Sequence, residues 1–305
     1  MMIAVELGLV YAVMALGVYL TFRILDFADL TVDGSFTTGA SIAAVGIVNG
    51  LPPALATSLA FVGGLGAGVV TGLLHTRGRI NGLLAGILTQ IGLYSINLRI
   101  MGGANVPLLR ERTVITPLRD AGLTGTWASV GIFLALALAV LALIVWFLHT
   151  DLGLAMRATG DNPDMIRSFG VDTDRQKVLG LALSNGLVGL CGALIAQFQG
   201  FADIGMGIGL IVAGLASVII GQAVLGRSRI AIAAAAVVLG SVLYRVVIQL
   251  ALEAGLNPND MKLISAVLVV LALVLPQWKG FARMGGVMRR RVTALTETAV
   301  VEKEG

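Results

Sequence analysis

Charge is what this chain has least of. Lys, Arg, Asp and Glu make up 12% of its 305 residues, while 57% are hydrophobic; a soluble domain carries roughly twice that share of charge. The balance excludes an ordinary water-soluble fold and indicates a polytopic membrane protein. Cysteine is nearly absent: Cys191 stands alone inside an apolar run, so no disulfide framework can form within the chain and the residue reads as packing. The only histidines, His75 and His149, sit at the ends of apolar runs. Without paired Cys and His ligands, HExxH or a GxSxG turn, neither a metal site nor a hydrolase nucleophile can be assembled, and no cofactor is expected. GxxxxGK followed by Ser or Thr is also missing, so any ATP-driven step must come from another protein. Before Arg23 there is no Lys or Arg, and Glu6 stands instead; this lacks the basic start of a cleaved signal peptide, and the first apolar run is expected to stay as a span.

What the chain does have is a series of apolar runs of spanning length, about 20 residues each. They lie at 3–22, 53–74, 80–100, 127–149, 178–198, 207–226, 230–250 and 261–277. A further run, 35–50, is short and follows the polar stretch Asp26 to Gly34, which reads as a tilted span or half of a broken, re-entrant helix. The expectation is an all-α polytopic membrane protein with about 8–9 transmembrane helices. If all nine runs cross, the amino terminus is outside and about fifteen of the 21 Lys and Arg fall inside, as the positive-inside rule asks. The net charge of +4 therefore belongs to a membrane surface, and no nucleic acid partner is expected. Residues 1–278 form the transmembrane unit. Residues 279–305 form a basic, partly disordered cytoplasmic tail, in which Lys279, Arg283 and Arg289 to Arg291 meet anionic membrane lipid.

Small residues recur at four-residue spacing in two runs: Ala56, Ala60, Gly64, Gly68 and Gly72, then Gly209, Ala213, Ser217 and Gly221. Such ladders let helices approach closely in lipid. Phe27-Ala28-Asp29-Leu30 returns as Phe201-Ala202-Asp203-Ile204, on the opposite side by this topology. Opposite placement is what an inverted repeat gives, and chance similarity between apolar segments gives it too. The segment 101–126 is a long outer loop.

Polar groups within the bilayer either satisfy neighbouring helices or line a pathway. Gln90, Asn97, Asn185, Gln197, Gln199, Gln222, Arg245 and Gln249 are the candidates. Arg245, always charged, needs a partner, with Glu253 or Asp260 in reach. Glu6, Asp26, Asp29 and Asp33 read as solvated or capping carboxylates near interfaces. The rival reading makes Asp29 and Asp203 ion-coupling groups of a secondary transporter. The translocation path is expected among Asp29, Gln90, Asn97, Asn185, Gln197, Asp203 and Arg245.

One polar island, Asp151 to Lys177, separates the two halves. Asp161 can accept from the first N–H groups of a helix, Pro163 suits its first turn, Asp164 stands three residues after the cap and Gly170 supplies a left-handed stop. The resulting helix, over 161–169, has Met165, Ile166 and Phe169 on its apolar side, with Asp164 and Arg167 as polar neighbours. It is too short to hold alone in water. Asp172 or Thr173 then caps the next span. From pattern alone the island is a solvated loop helix or a docking handle for a soluble partner, which keeps a membrane scaffold open as a third class.

The island resembles the coupling segment of ABC importer permeases of the branched-chain amino acid type: Gly153-Leu154-Ala155-Met156-Arg157-Ala158, then Asp161-Asn162-Pro163, then Gly170-Val171-Asp172-Thr173-Asp174-Arg175. Asp26-Phe27-Ala28 is similar to that family's motif near the second helix. Leu25 to Gly34 and Leu256 to Lys262 resemble a single-permease subgroup associated with tryptophan, tyrosine or uncharacterised solutes. Asp26 and Asp33 depart from the branched-chain members, so leucine, isoleucine and valine are not carried over as substrates. The resemblance implies a multi-pass subunit of the bacterial cytoplasmic (inner) membrane. It implies two identical permeases, two ABC ATPase subunits docked inside and an extracytoplasmic solute-binding protein. ATPase coupling would then fall on Arg157, Asp161, Asn162, Pro163, Asp164, Met165, Ile166, Arg167, Phe169, Gly170 and Asp174.

Overall fold

Helices follow the apolar runs closely in the computed structural model, which describes residues 1–226, 229–255 and 261–274. The first helix, α1 (Met2–Tyr19), runs straight into a π-helical turn, Leu20–Ile24. Then come α2 (Thr31–Val48), α3 (Pro53–Thr76) and α4 (Gly82–Met101). A short strand, β1 (Asn105–Pro107), and α5 (Thr116–Asp120) lie in the long loop before α6 (Trp127–Leu148). The island forms α7 (Asp151–Asp161) and α8 (Pro163–Ser168). The chain continues as α9 (Thr173–Gln199), β2 (Phe201–Asp203), α10 (Leu210–Leu225), α11 (Ile230–Glu253) and α12 (Met261–Val274).

Among the described residues, six helices are long and apolar enough to cross a membrane: α1 with its π turn, α3, α4, α6, α9 and α11. The run at 35–50 is not broken. It lies in one continuous helix of 18 residues, α2, that begins at Thr31 and is buried along nearly all its length, spanning about 27 Å at the usual helical rise. Its hydroxyls are satisfied internally: Thr37, Thr38 and Ser41 each donate to the carbonyl one turn earlier and so need no water. The irregular backbone lies just ahead of it, at Leu25 to Leu30, where Asp26 has φ +51°. The tail after 274 and the Leu256 to Asp260 segment, with the charges expected there, lie outside the described residues, as does Arg227.

Centre and periphery differ in composition. The most apolar window of α1 is 83% buried and that of α9 is 78% buried, whereas in α6 the figure is 17%. Exposed Leu and Trp on α6 therefore face lipid rather than water. Around α9 the helices touch through small residues, as the first ladder implied. A methyl group on Gly64 or Gly68 of α3 would stand 2.2 Å from the Asn185 or Leu181 carbonyl of α9, and one on Gly39 of α2 would stand 1.9 Å from that of Gly189. The second ladder does the same between α10 and α11, with Gly221 against Ala236. The gain is dispersion and backbone proximity, which drive helix association in lipid.

Two four-helix sets, α1–α4 and α9–α12, pack in matching fashion. α2 lies on α9 as α10 lies on α1; α3 lies on α2 and α9 as α11 lies on α10 and α1; α4 meets α2 as α12 meets α10. The leading helices run antiparallel, because Ser184 donates to the Gly17 carbonyl and Cys191 to that of Val10. The four-residue echo thus precedes the second helix of each set, and the two sets have opposite senses, the arrangement of an inverted repeat. β1 and β2 pair antiparallel, with Val106 opposite Ala202, and tie the long loop to the α9–α10 connection.

Candidate functional site

At one end of the bundle the island forms two short helices, α7 and α8, set against the membrane helices. Met156 of α7 is fully buried among Leu25, Phe27 and Leu181. Gly160 lies so close to the π turn that a methyl group there would stand 1.9 Å from the Ile24 carbonyl oxygen. α7 is thereby seated under the membrane helices. Its last residue is Asp161, one position too early to cap α8; the cap is Asn162, whose Oδ1 accepts from the Met165 N–H at 3.0 Å. Asn and Asp are equivalent caps in isolation, and the end of α7 decides between them. Pro163 occupies the first turn, and Gly170, at φ +85°, supplies the left-handed stop.

α8 is fastened at its far end. Arg167 donates to Thr173 Oγ1 at 2.7 Å and lies 3.7 Å from the Asp174 carboxylate. Asp172, the expected second cap, accepts from the N–H groups of Asp174 and Arg175. Met165 is 51% and Phe169 75% exposed, Ile166 is half-buried and Asp164 is exposed. The exposed apolar surface of the island's second helix and its end is therefore carried by Met165 and Phe169. Arg157, on α7, is half-buried and lines a cavity at the same end.

Within the bundle the candidate path residues divide. Asp29 and Asn185 come together: the Asn185 amide donates to Asp29 at 2.6 Å, and its oxygen accepts from Ser35 at 2.7 Å. Thr31 and Thr71 share a hydrogen bond beside them. This network ties α2, α3 and α9 to one another. Gln197 is likewise structural, donating to Thr57 and accepting from the Val114 N–H. Gln90 and Asn97 line a cleft of about 430 Å³ with Asp33, Tyr94 and Ile208. Asn97 reaches the Gly34 carbonyl at 3.4 Å, and its own oxygen has no partner among the described residues. Asp203 and Arg245 line a different cleft, about 560 Å³, with Tyr11, Gln199 and Tyr244. Ile208 belongs to the walls of both clefts.

Three sequence expectations are corrected. Arg245 is not held by Glu253, which lies 3.1 Å from Gln249 and 3.8 Å from the terminal amine. The Arg245 guanidinium instead covers the Tyr11 ring at 3.6 Å, a cation–π contact available because the cation is partly desolvated; Asp260 lies outside the described residues. Glu6 is not solvated: it is buried and accepts from Gly125 N–H and Ser129 Oγ of the packed α6 segment. Asp29 is not solvated either: it is buried and bonded into the Asn185 network, while Asp203 accepts from Gly205 N–H within its own turn. Asp33, read as a solvated or capping carboxylate, caps a helix distant in sequence. Its oxygens accept from Gly209 and Ile211 N–H at 2.7 and 2.9 Å, placing a negative group at the positive end of α10.

Comparison with known proteins accounts for this architecture. Residues 2–274 match the family described as branched-chain amino acid transport system, permease component. The chain is 42% identical to the tyrosine transport system permease protein of Clostridioides difficile (strain R20291), over 87% of this chain and 88% of that protein. It is 35% identical to an uncharacterised protein of Rickettsia prowazekii (strain Madrid E), over 88% of this chain and 95% of the relative. The fold is similar to that of an inward-facing ABC transporter of metal-chelate type, with TM-score 0.50 and 15% identity over 91% of this chain and 84% of that one. The chain belongs to the branched-chain amino acid transport system permease family and is an ABC transporter permease subunit.

Proposed function

We propose that this permease forms, as a homodimer, the solute path of an importer for tyrosine or a similar amino acid, and takes up ATPase motion through α8. The family's membrane subunits work with an ATPase in a separate chain and with a solute-binding protein. The observation that carries the coupling role is the exposure of Met165 and Phe169 on a helix that is fastened at both ends. α7 rests on the π turn through Gly160, and Arg167 joins α8 to the first turn of α9. A push on that face moves rigid helices rather than a loop, which is how a local contact becomes a change of access. α9 in turn packs on α1, α2 and α3.

The solute path runs past the cleft lined by Asp33, Gln90, Tyr94 and Asn97. Its apolar wall and few polar groups suit a small zwitterion with an aromatic side chain. The substrate reading is supported by the 42% identical relative, whose name refers to tyrosine. Reconstitution of the permease with its ATPase and binding protein tests the proposal. Uptake of labelled tyrosine that needs ATP and all three components is expected. Uptake that persists without ATP and collapses with an ionophore would overturn it.

A further inference from the structure

A cavity of about 310 Å³ lies between the π turn, α7, α10 and α11, at the end of the bundle that carries the island. Its polar lining is rich in donors: the guanidinium groups of Arg23 and Arg157, the Tyr19 hydroxyl and the Gln222 amide, beside the Asp161 carboxylate. Gln222 is 5% exposed, and its amide nitrogen has no hydrogen-bond partner among the described residues. A buried donor left unpaired is costly, and a bound acceptor removes that cost.

The remaining wall is the first turn of α11, at Ile230 and Ala233. No side chain caps that helix, so its first N–H groups and its positive dipole end are unsatisfied within the helix. Helix starts of this kind favour anions. Arg23 and Arg157 form no ion pair among the described residues. Asp161, exposed, is the one carboxylate in the lining, and it limits the site to a ligand held strongly enough by the two guanidinium groups to offset its repulsion.

We propose that this cavity binds a phosphate oxyanion, carried either by the headgroup of an anionic phospholipid or by a free phosphate ion. Guanidinium forks match phosphate oxygens, and the amide of Gln222 and the N–H groups of α11 add neutral donors. The site is separate from the two solute clefts. Occupation would bridge α7, which carries the coupling helix, to the π turn, α10 and α11.

The test uses the full-length permease in nanodiscs of phosphatidylcholine with and without phosphatidylglycerol, with retained lipid counted by native mass spectrometry. A parallel arm titrates inorganic phosphate against thermal unfolding in neutral detergent. Phosphatidylglycerol retained in preference to phosphatidylcholine identifies the headgroup; protection by phosphate without lipid retention identifies the free ion. In either arm Arg23→Gln, which alters an exposed side chain and leaves folding intact, and Gln222→Glu should each weaken binding at least tenfold. Arg157→Lys should lose less than Arg157→Gln. Arg79→Gln removes the same charge from another exposed loop and should bind like the parent. Binding in neither arm, or equal loss in Arg79→Gln, would overturn the proposal.

Discussion

Asn185 of α9 donates its side-chain amide to Asp29, 156 positions earlier and 2.6 Å away, while accepting from Ser35 on α2. Asp29→Asn keeps the size of the group and one of its two accepting oxygens, those that face the Thr31 N–H and the Asn185 amide. It should leave ATP-driven uptake near the parent level, whereas an ion-coupling carboxylate would lose activity on this change. Asp29→Ala strands the Asn185 amide and should lower stability by about 1–3 kcal/mol, read as thermal unfolding in detergent.

Close packing makes a second contrast. Gly39→Ala drives a methyl into the Gly189 carbonyl and should cost about 1–3 kcal/mol or more, seen as loss of monodisperse protein. Gly66→Ala on α3 meets nothing within 4 Å among the described residues and should be neutral or stabilise by about 0.5–1 kcal/mol.

Phe169, three-quarters exposed, can change without disturbing the helices. Phe169→Asp should leave yield and thermal stability within about 0.5 kcal/mol of the parent while reducing ATP-dependent uptake at least tenfold. Full coupled activity in this variant would remove α8 from the transmission route.

The cap offers a narrower test. Asn162→Ala should destabilise α8 by about 1 kcal/mol, with faster amide exchange at Met165 and Ile166. Asp161→Ala, at the end of α7, should leave exchange at those amides unchanged.

Span positions were legible because apolar runs of bilayer length have few other uses in a chain. The Gly64, Gly68 and Gly72 ladder was legible for a similar reason, since close approach requires small residues at helical spacing. Asn162 and Asp161 were interchangeable by propensity, and only the length of α7 separates them. Glu6 and Arg245 were misread for a different reason. Their partners, Ser129 and Tyr11, come from other helices, and no local pattern carries that pairing. β1 and β2 were invisible because three-residue strands paired across 98 positions leave no periodicity to read. The α2 run looked broken because it was short and followed the polar stretch Asp26 to Gly34, whose last residues, from Thr31, belong to the same helix.

The π turn at Leu20–Ile24 holds one residue more than an α-helical turn would. Returning that residue to the following segment would rotate everything beyond Ile24 by about 100° relative to α1. The Asp29 network and the start of α2 lie directly downstream, and Gly160 of α7 bears on the Ile24 carbonyl. The rotational setting of α2 and of the Asp29 network relative to α1 is thus fixed in whole residues at this turn.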